Sequence, residues 1–191
     1  MKKQLGFLMN LQKCIGCHGC EMACQNEHRL QDHKRRNVTS LGERENVIGF
    51  LSMSCNHCVN PACMAICPNK CFKKRRDGIV SHDASRCSGC KSCIGACPFN
   101  APKFNALTGK IDKCNMCINR QQASLLPACV SACIPKALVH VDIPSMENEY
   151  SKLPVGIKMA QFTEPSVRFI LPEKPKRYLA NISGRRKEDS I

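Results

Sequence analysis

Sixteen of the seventeen cysteines fall into four runs of four, and their spacing inside the runs is that of iron ligands. The runs are Cys14-x2-Cys17-x2-Cys20-x3-Cys24, Cys55-x2-Cys58-x4-Cys63-x3-Cys67, Cys87-x2-Cys90-x2-Cys93-x3-Cys97 and Cys114-x2-Cys117-x11-Cys129-x3-Cys133. A [4Fe–4S] cube takes four thiolates, so sixteen ligands imply four [4Fe–4S] clusters as cofactors. Three cysteines three residues apart lie on a tight loop that aims three sulfurs at three irons, and the fourth is carried away by the start of a helix. Gly16, Gly19, Gly89 and Gly95 stand beside ligands, where the backbone must bend closely and offer N–H groups to sulfide. Pro68 and Pro98 follow Cys67 and Cys97 and turn the chain as it leaves. The chemistry is electron transfer, and a chain of 191 residues with four such centres is chiefly a wire. No Ser/His/Asp set, phosphate loop or paired carboxylates stands out, so the expectation is a non-catalytic subunit.

Other uses of the thiols fit less well. Zinc sites use two distant pairs, which suits only the fourth run. A disulfide scaffold is disfavoured by the odd total and by neighbours at i and i+3, which would form strained short loops. Cys71, the leftover, reads as a small hydrophobe where a strand begins. The formal charge of +14 invites a nucleic-acid reading. Four oxidised cubes with their thiolates contribute roughly −8 and leave about +6. Two dense basic runs, Lys73–Arg76 and Arg185–Lys187, read as a solvated turn and tail. With no tryptophan and few aromatics, the clusters must serve as core, and little stable fold is expected without iron.

The elements that position the runs are short. Strands are expected at 6–10, 48–53 and 137–141. One hairpin should join Cys71–Lys73 to Gly78–Ser81 across Arg76-Asp77-Gly78, and another should join Phe104 to Ile111-Asp112 across Leu107-Thr108-Gly109. Short helices should follow the fourth cysteine of each run. Residues 25–47 read as a polar insertion, and residues 142–191 as an extended arm that is partner-binding or disordered, with a strand near Val167–Leu171 packing on the body or on a partner. Disorder is expected over the last eight or so residues. No apolar stretch approaches the about 18 residues of a membrane span. The opening MKKQLGFLMNLQKC runs straight into a ligand and reads as a strand, not a cleavable signal.

The words Cys55-Asn56-His57-Cys58 and Asn60-Pro61-Ala62-Cys63, and the opening Gly6-Phe7…Lys13-Cys14, resemble the iron–sulfur electron-transfer subunit of the dimethyl sulfoxide reductase family. The resemblance covers about residues 5–141, and Phe162-Thr163-Glu164-Pro165 extends it weakly into the tail. It implies an α+β fold of two nested ferredoxin-like modules. Ferredoxin-type segments would span 5–33, 46–77 and 78–107, with 108–141 completing the outer module alongside the first segment. In the inner module, one cube would take Cys55, Cys58, Cys63 and Cys97 and the other Cys87, Cys90, Cys93 and Cys67. In the outer module, one would take Cys14, Cys17, Cys20 and Cys133 and the other Cys114, Cys117, Cys129 and Cys24. The implied partners are a molybdopterin catalytic subunit and an integral-membrane, quinol-oxidising anchor. The chain itself would have no membrane span and no nucleic acid.

The role implied is electron relay in anaerobic respiration, within a peripheral membrane complex. Its clusters would be assembled in the cytoplasm, and export would be as a folded passenger on the catalytic subunit. Two other roles are an electron-transfer or accessory protein of a formate dehydrogenase- or hydrogenase-type complex and, more remotely, a zinc-binding nucleic-acid module. Lys13, Lys91 and Lys113 stand beside ligands, either stabilising reduced clusters or simply exposed. His57 reads as a loop-packing residue and His18 as solvent-facing.

Overall fold

Alternation along β1 (Leu5–Asn10) buries Leu5, Phe7 and Met9 on one face. The computed structural model describes residues 3–43, 46–146, 150 and 162–171. β1 is the middle strand of a three-stranded sheet. β8 (Leu138–Asp142) runs antiparallel to it, with Phe7 opposite His140. β9 (Val167–Ile170) runs parallel to it, with Phe7 opposite Val167. The sheet therefore joins the strand before the first cysteine run, the strand after the last, and a segment of the tail. Gly6 is needed at this junction, because a Cβ there would lie 2.2 Å from the Ser166 carbonyl oxygen.

The tail strand thus packs on the body. The Phe7 and Leu11 N–H groups donate to the Ser166 and Ile170 carbonyls. The expected disordered C-terminus lies outside the described residues.

Both expected hairpins form. β4 (Phe72–Lys74) pairs with β5 (Val80–His82), and β6 (Lys103–Asn105) with β7 (Lys110–Asp112). The insertion is more structured than its polar composition suggested. α1 (Gly19–His28) runs into it, and β2 (Asn37–Glu43) pairs antiparallel with β3 (Asn46–Met53), burying Val38, Leu41 and Leu51.

The helices do not follow the fourth cysteine of each run. α2 (Ala62–Ala65), α3 (Ser92–Ala96) and α5 (Ala128–Ser131) hold the third cysteine and stop short of the fourth. Only α1 continues past Cys24, and α4 (Ile118–Gln122) lies inside the long gap of the fourth run. A four-residue separation is one helical turn, so a single turn suffices to set the third and fourth sulfurs. Proline one or two residues beyond Cys67, Cys97 and Cys133 then forbids continuation. The chain instead makes the same turn three times. Lys70, Asn100 and Lys136 each sit three residues past the fourth cysteine at φ of 49°, 49° and 50°. Each donates its N–H to that cysteine's carbonyl at 3.0–3.1 Å.

The starts of the helices repeat in pairs. His18 and Lys91, in left-handed conformation, open α1 and α3, whereas Pro61 and Pro127 open α2 and α5. α1 packs on α5, and α2 on α3. No helix among the described residues is long and apolar enough to cross a membrane.

Candidate metal centres

None of the seventeen cysteines forms a disulfide. They gather where the helix pairs meet. Cys14 interacts with Cys17, Cys20 and Cys133. Cys24 interacts with Cys114, Cys117 and Cys129. Cys63 is set against Cys55, Cys58 and Cys97, and Cys93 against Cys67, Cys87 and Cys90. In each group the helix brings in its third cysteine while a partner run delivers a fourth. Cys55, Cys58, Cys63 and Cys97 line one cavity. Cys67, Cys87, Cys90 and Cys93 line another.

The surroundings suit sulfur bound to iron. Backbone N–H groups point at ligand sulfurs: Gly89 and Ile111 to Cys87 at 3.4 and 3.5 Å, Met116 to Cys114 at 3.3 Å, Leu138 to Cys133 at 3.4 Å and Cys71 to Cys67 at 3.4 Å. Gly89 has φ of 73°, and a Cβ on it would lie 2.2 Å from the Gly109 carbonyl oxygen, so the loop closes on the neighbouring hairpin only with glycine. Burial pushes the thiols of Cys24 and Cys63 up to about 12, and those of Cys58, Cys93 and Cys117 up to about 11. Such thiols become thiolates only when a cation replaces the proton, so loading iron releases protons.

Two buried donors face the second-run cavity. Asn56 and Thr163 are 3% and 1% exposed; Asn56 Nδ2 has no hydrogen-bond acceptor among the described residues, and the Thr163 hydroxyl has no oxygen or nitrogen acceptor there, only the Cys58 sulfur. The Thr163 hydroxyl lies beside Cys58 and favours its thiolate, opposing the larger effect of burial. Thr163 comes from the tail, held by the Asn60 and Val59 N–H groups on the Thr163 and Glu164 carbonyls. A sulfide-rich cluster held by Cys55, Cys58, Cys63 and Cys97 would supply acceptors for these donors.

The lysines singled out in the sequence part company. Lys13 and Lys91 are exposed, and Lys91 lies over the Phe104 ring at 4.0 Å. Lys113 is buried, donates to the Val80 and Cys114 carbonyls, and lines the Cys55–Cys97 cavity. His57 is fully buried and accepts the Val80 N–H at Nδ1, a packing role. His18 is exposed and lies 3.2 Å from Glu21.

Cys71 is buried beside Cys67, just ahead of β4, as a small core residue would be. Two functional neighbours had no sequence signal. His28 Nε2 lies 3.3 Å from Cys117 Sγ, and burial, aided by Arg35, lowers its pKa to about 4, so the ring is neutral. Arg36, one member of an ordinary-looking Lys-Arg-Arg run, is buried with its guanidinium on Ser52 and Ser54.

Residues 47–143 match the family described as 4Fe-4S dicluster domain. Over 198 residues the protein is 33% identical to the B component of anaerobic dimethyl sulfoxide reductase from Escherichia coli (strain K12), with 96% of both sequences covered. The protein belongs to this family of iron–sulfur subunits. Its chemistry is accordingly electron transfer through [4Fe–4S] centres, and it is not itself the catalytic subunit. Members of the family serve different enzymes. The formate dehydrogenase iron-sulfur subunit of Wolinella succinogenes is 36% identical across 73% of this chain and 82% of its own length. The B component of tetrathionate reductase from Salmonella typhimurium is 37% identical across 74% of this chain and 59% of its own. Membership in the family implies a catalytic partner subunit.

Proposed function

We propose that the chain carries four [4Fe–4S] clusters and relays electrons between a quinol-oxidising membrane anchor and a molybdopterin catalytic subunit of the dimethyl sulfoxide reductase type. The observation that carries this reading is the gathering of sixteen sulfurs into four groups of four, each drawing on two runs. The first and fourth runs make an outer ferredoxin-like module and the second and third an inner one nested within it. The clusters supply one-electron steps without making or breaking bonds to a substrate. The chain's own residues hold them in place, keep water from the buried sulfurs and aim N–H groups that favour the reduced state. Assembly occurs in the cytoplasm, and the folded subunit joins a peripheral membrane complex, exported with its catalytic partner where that partner is exported. Full-length similarity to the iron–sulfur component of a dimethyl sulfoxide reductase favours a sulfoxide reductase over a formate dehydrogenase partner.

An anaerobic pull-down of the tagged chain from respiring cells, with iron and molybdenum assays, tests the proposal. Four clusters per chain, a molybdopterin subunit active on sulfoxides or N-oxides and a multi-span anchor are expected. Recovery with a hydrogenase and no molybdenum would overturn the partner assignment. An iron content well short of four clusters would overturn the wire.

A further inference from the structure

Arg36 is 2% exposed, and among the described residues no carboxylate pairs with it. The nearby buried carboxylate of Glu21 is already engaged by Lys34 and by the Val38 N–H. The guanidinium donates to the Ser52 carbonyl at 3.3 Å, to Ser52 Oγ at 3.0 Å and to Ser54 Oγ at 2.9 Å, and it stacks 4.8 Å from the Phe7 ring centroid. Neutral oxygens and a ring face do not offset the desolvation of a full positive charge. The sequence has placed an unpaired cation in its own core, which is stable only if negative charge stands beside it.

That charge is within reach. Ser52 Oγ is 3.2 Å from Cys20 Sγ, so Arg36, Ser52 and Cys20 form one series of contacts. Arg36 also lies within hydrogen-bonding reach of Cys129, and Cys114 and Cys24 are close enough to act on it electrostatically. Cys20 belongs to one outer group of sulfurs and the other three belong to the second.

We propose that Arg36 is the internal counter-ion shared by the two outer clusters, a positioning residue that raises both of their potentials and screens their mutual repulsion. The proposal rests on the four-cluster reading. An electron arriving at either cluster through the relay makes that cluster one unit more negative. The fixed guanidinium absorbs part of that change electrostatically and keeps its own protons, so no proton accompanies the electron. Nothing comparable spans the inner pair among the described residues: Lys113 bears on Cys55 and Cys63, both in one group.

The test uses the full chain purified anaerobically with its clusters, as wild type, Arg36→Met and Arg36→Lys. Each is assayed for iron and titrated redox-potentiometrically with EPR detection. Two of the four midpoint potentials should fall in Arg36→Met, while the other two hold. Arg36→Lys, which keeps the charge, should shift the same pair less. Should Arg36→Met lose iron while Arg36→Lys keeps it, a charge requirement at this site is supported directly. Full iron with unmoved potentials in Arg36→Met, an equal shift of all four, or equal iron loss in both variants would overturn the proposal. A wild type without four clusters would instead overturn the reading on which it rests.

Discussion

A buried hydroxyl without a good acceptor costs about 1–3 kcal/mol, and Thr163 carries a buried hydroxyl that has only the Cys58 sulfur to donate to, at the edge of a cysteine-lined cavity. The cost disappears if the hydroxyl donates to cluster sulfur, and a donor there stabilises the more reduced state. Thr163→Val should therefore leave iron content intact and lower one midpoint potential, that of the centre bound by Cys55, Cys58, Cys63 and Cys97. Thr163→Ser, which restores the donor, should restore the potential. EPR-monitored titration of the three proteins decides it, and an unchanged set of potentials in the valine variant would count against the contact. Removing a ligand is a different experiment: Cys93→Ala should cost iron and block transfer to the partner, and normal iron with normal activity would remove Cys93 from the ligand set. At this scale the sequence picked out the sixteen cysteines that the fold gathers and was poor about their neighbours. Cysteine spacing is a local pattern dictated by the geometry of one cube, so it can be read along the chain. Arg36 lies well past the first run and Thr163 far beyond the second, and nothing in their local context separates a buried donor from an exposed one.

The insertion between the first two runs is fastened by a four-residue electrostatic clasp. Arg35 grips Asp112 on β7 with two hydrogen bonds of 2.6 Å. His33 bridges Asp112 and Asp32 at 2.6 Å to each. Burial disfavours charged His33, but the carboxylates of Asp112 and Asp32 outweigh it and raise its pKa above the ordinary 6.5. Burial likewise opposes ionised Asp112, and Arg35 and His33 outweigh it and hold its pKa below 3.8. The signs differ in their consequences. The contribution of His33 is complete below 6.5 and is lost as pH rises through its raised pKa; that of Asp112 is complete above 3.8 and is lost only in stronger acid. Protection factors of the backbone amides in residues 32–36 and 105–112, corrected for intrinsic exchange, should accordingly hold below pH 6.5 and fall as pH rises through the raised pKa of His33, and His33→Gln should abolish that step. Protection that fell instead between about pH 6 and 5 would contradict it. The elements themselves were legible where turn chemistry marks them. Both hairpins follow from Asp77-Gly78 and from Thr108-Gly109, within a residue or two. β2 was missed because Asn-Val-Thr-Ser-Leu-Gly-Glu alternates weakly and looks like loop. The helices were placed one turn late because they begin at or near the third cysteine, and only the proline after the fourth reveals that they have ended.

Taken whole, the molecule has two kinds of interior. Around β1 the core is mostly aliphatic and aromatic: Leu5, Phe7, Met9, Leu11, Leu138, Val167 and Phe169 pack together, with Cys20 and Cys129 among them. The interior of the second and third runs is largely sulfur. One cluster of buried residues there is Cys63, Cys71, Cys93, Phe72, Val80 and Ile111, and another is Cys55, Ala101 and Cys114. Burying an aliphatic side chain is worth about 1.5–3 kcal/mol. The first region therefore keeps a substantial driving force without metal, whereas the others keep little once their thiols are empty and mutually unneeded. Iron loss should thus unfold the chain in two steps, not one. Under anaerobic chelation, hydrogen exchange should speed up across residues 55–115 first, while β1, β8 and β9 remain protected. Protection in the three-stranded sheet should persist until denaturant is added, even after the two outer groups of sulfurs are also stripped. A single cooperative loss of protection, with the sheet opening as early as the inner loops, would mean that the outer core also depends on its clusters and that its aliphatic residues cannot hold β1, β8 and β9 together alone. The expected order follows from the distribution of apolar side chains: the strands that begin and close the cysteine runs, together with the tail strand, form the part of the wire that metal does not have to hold up.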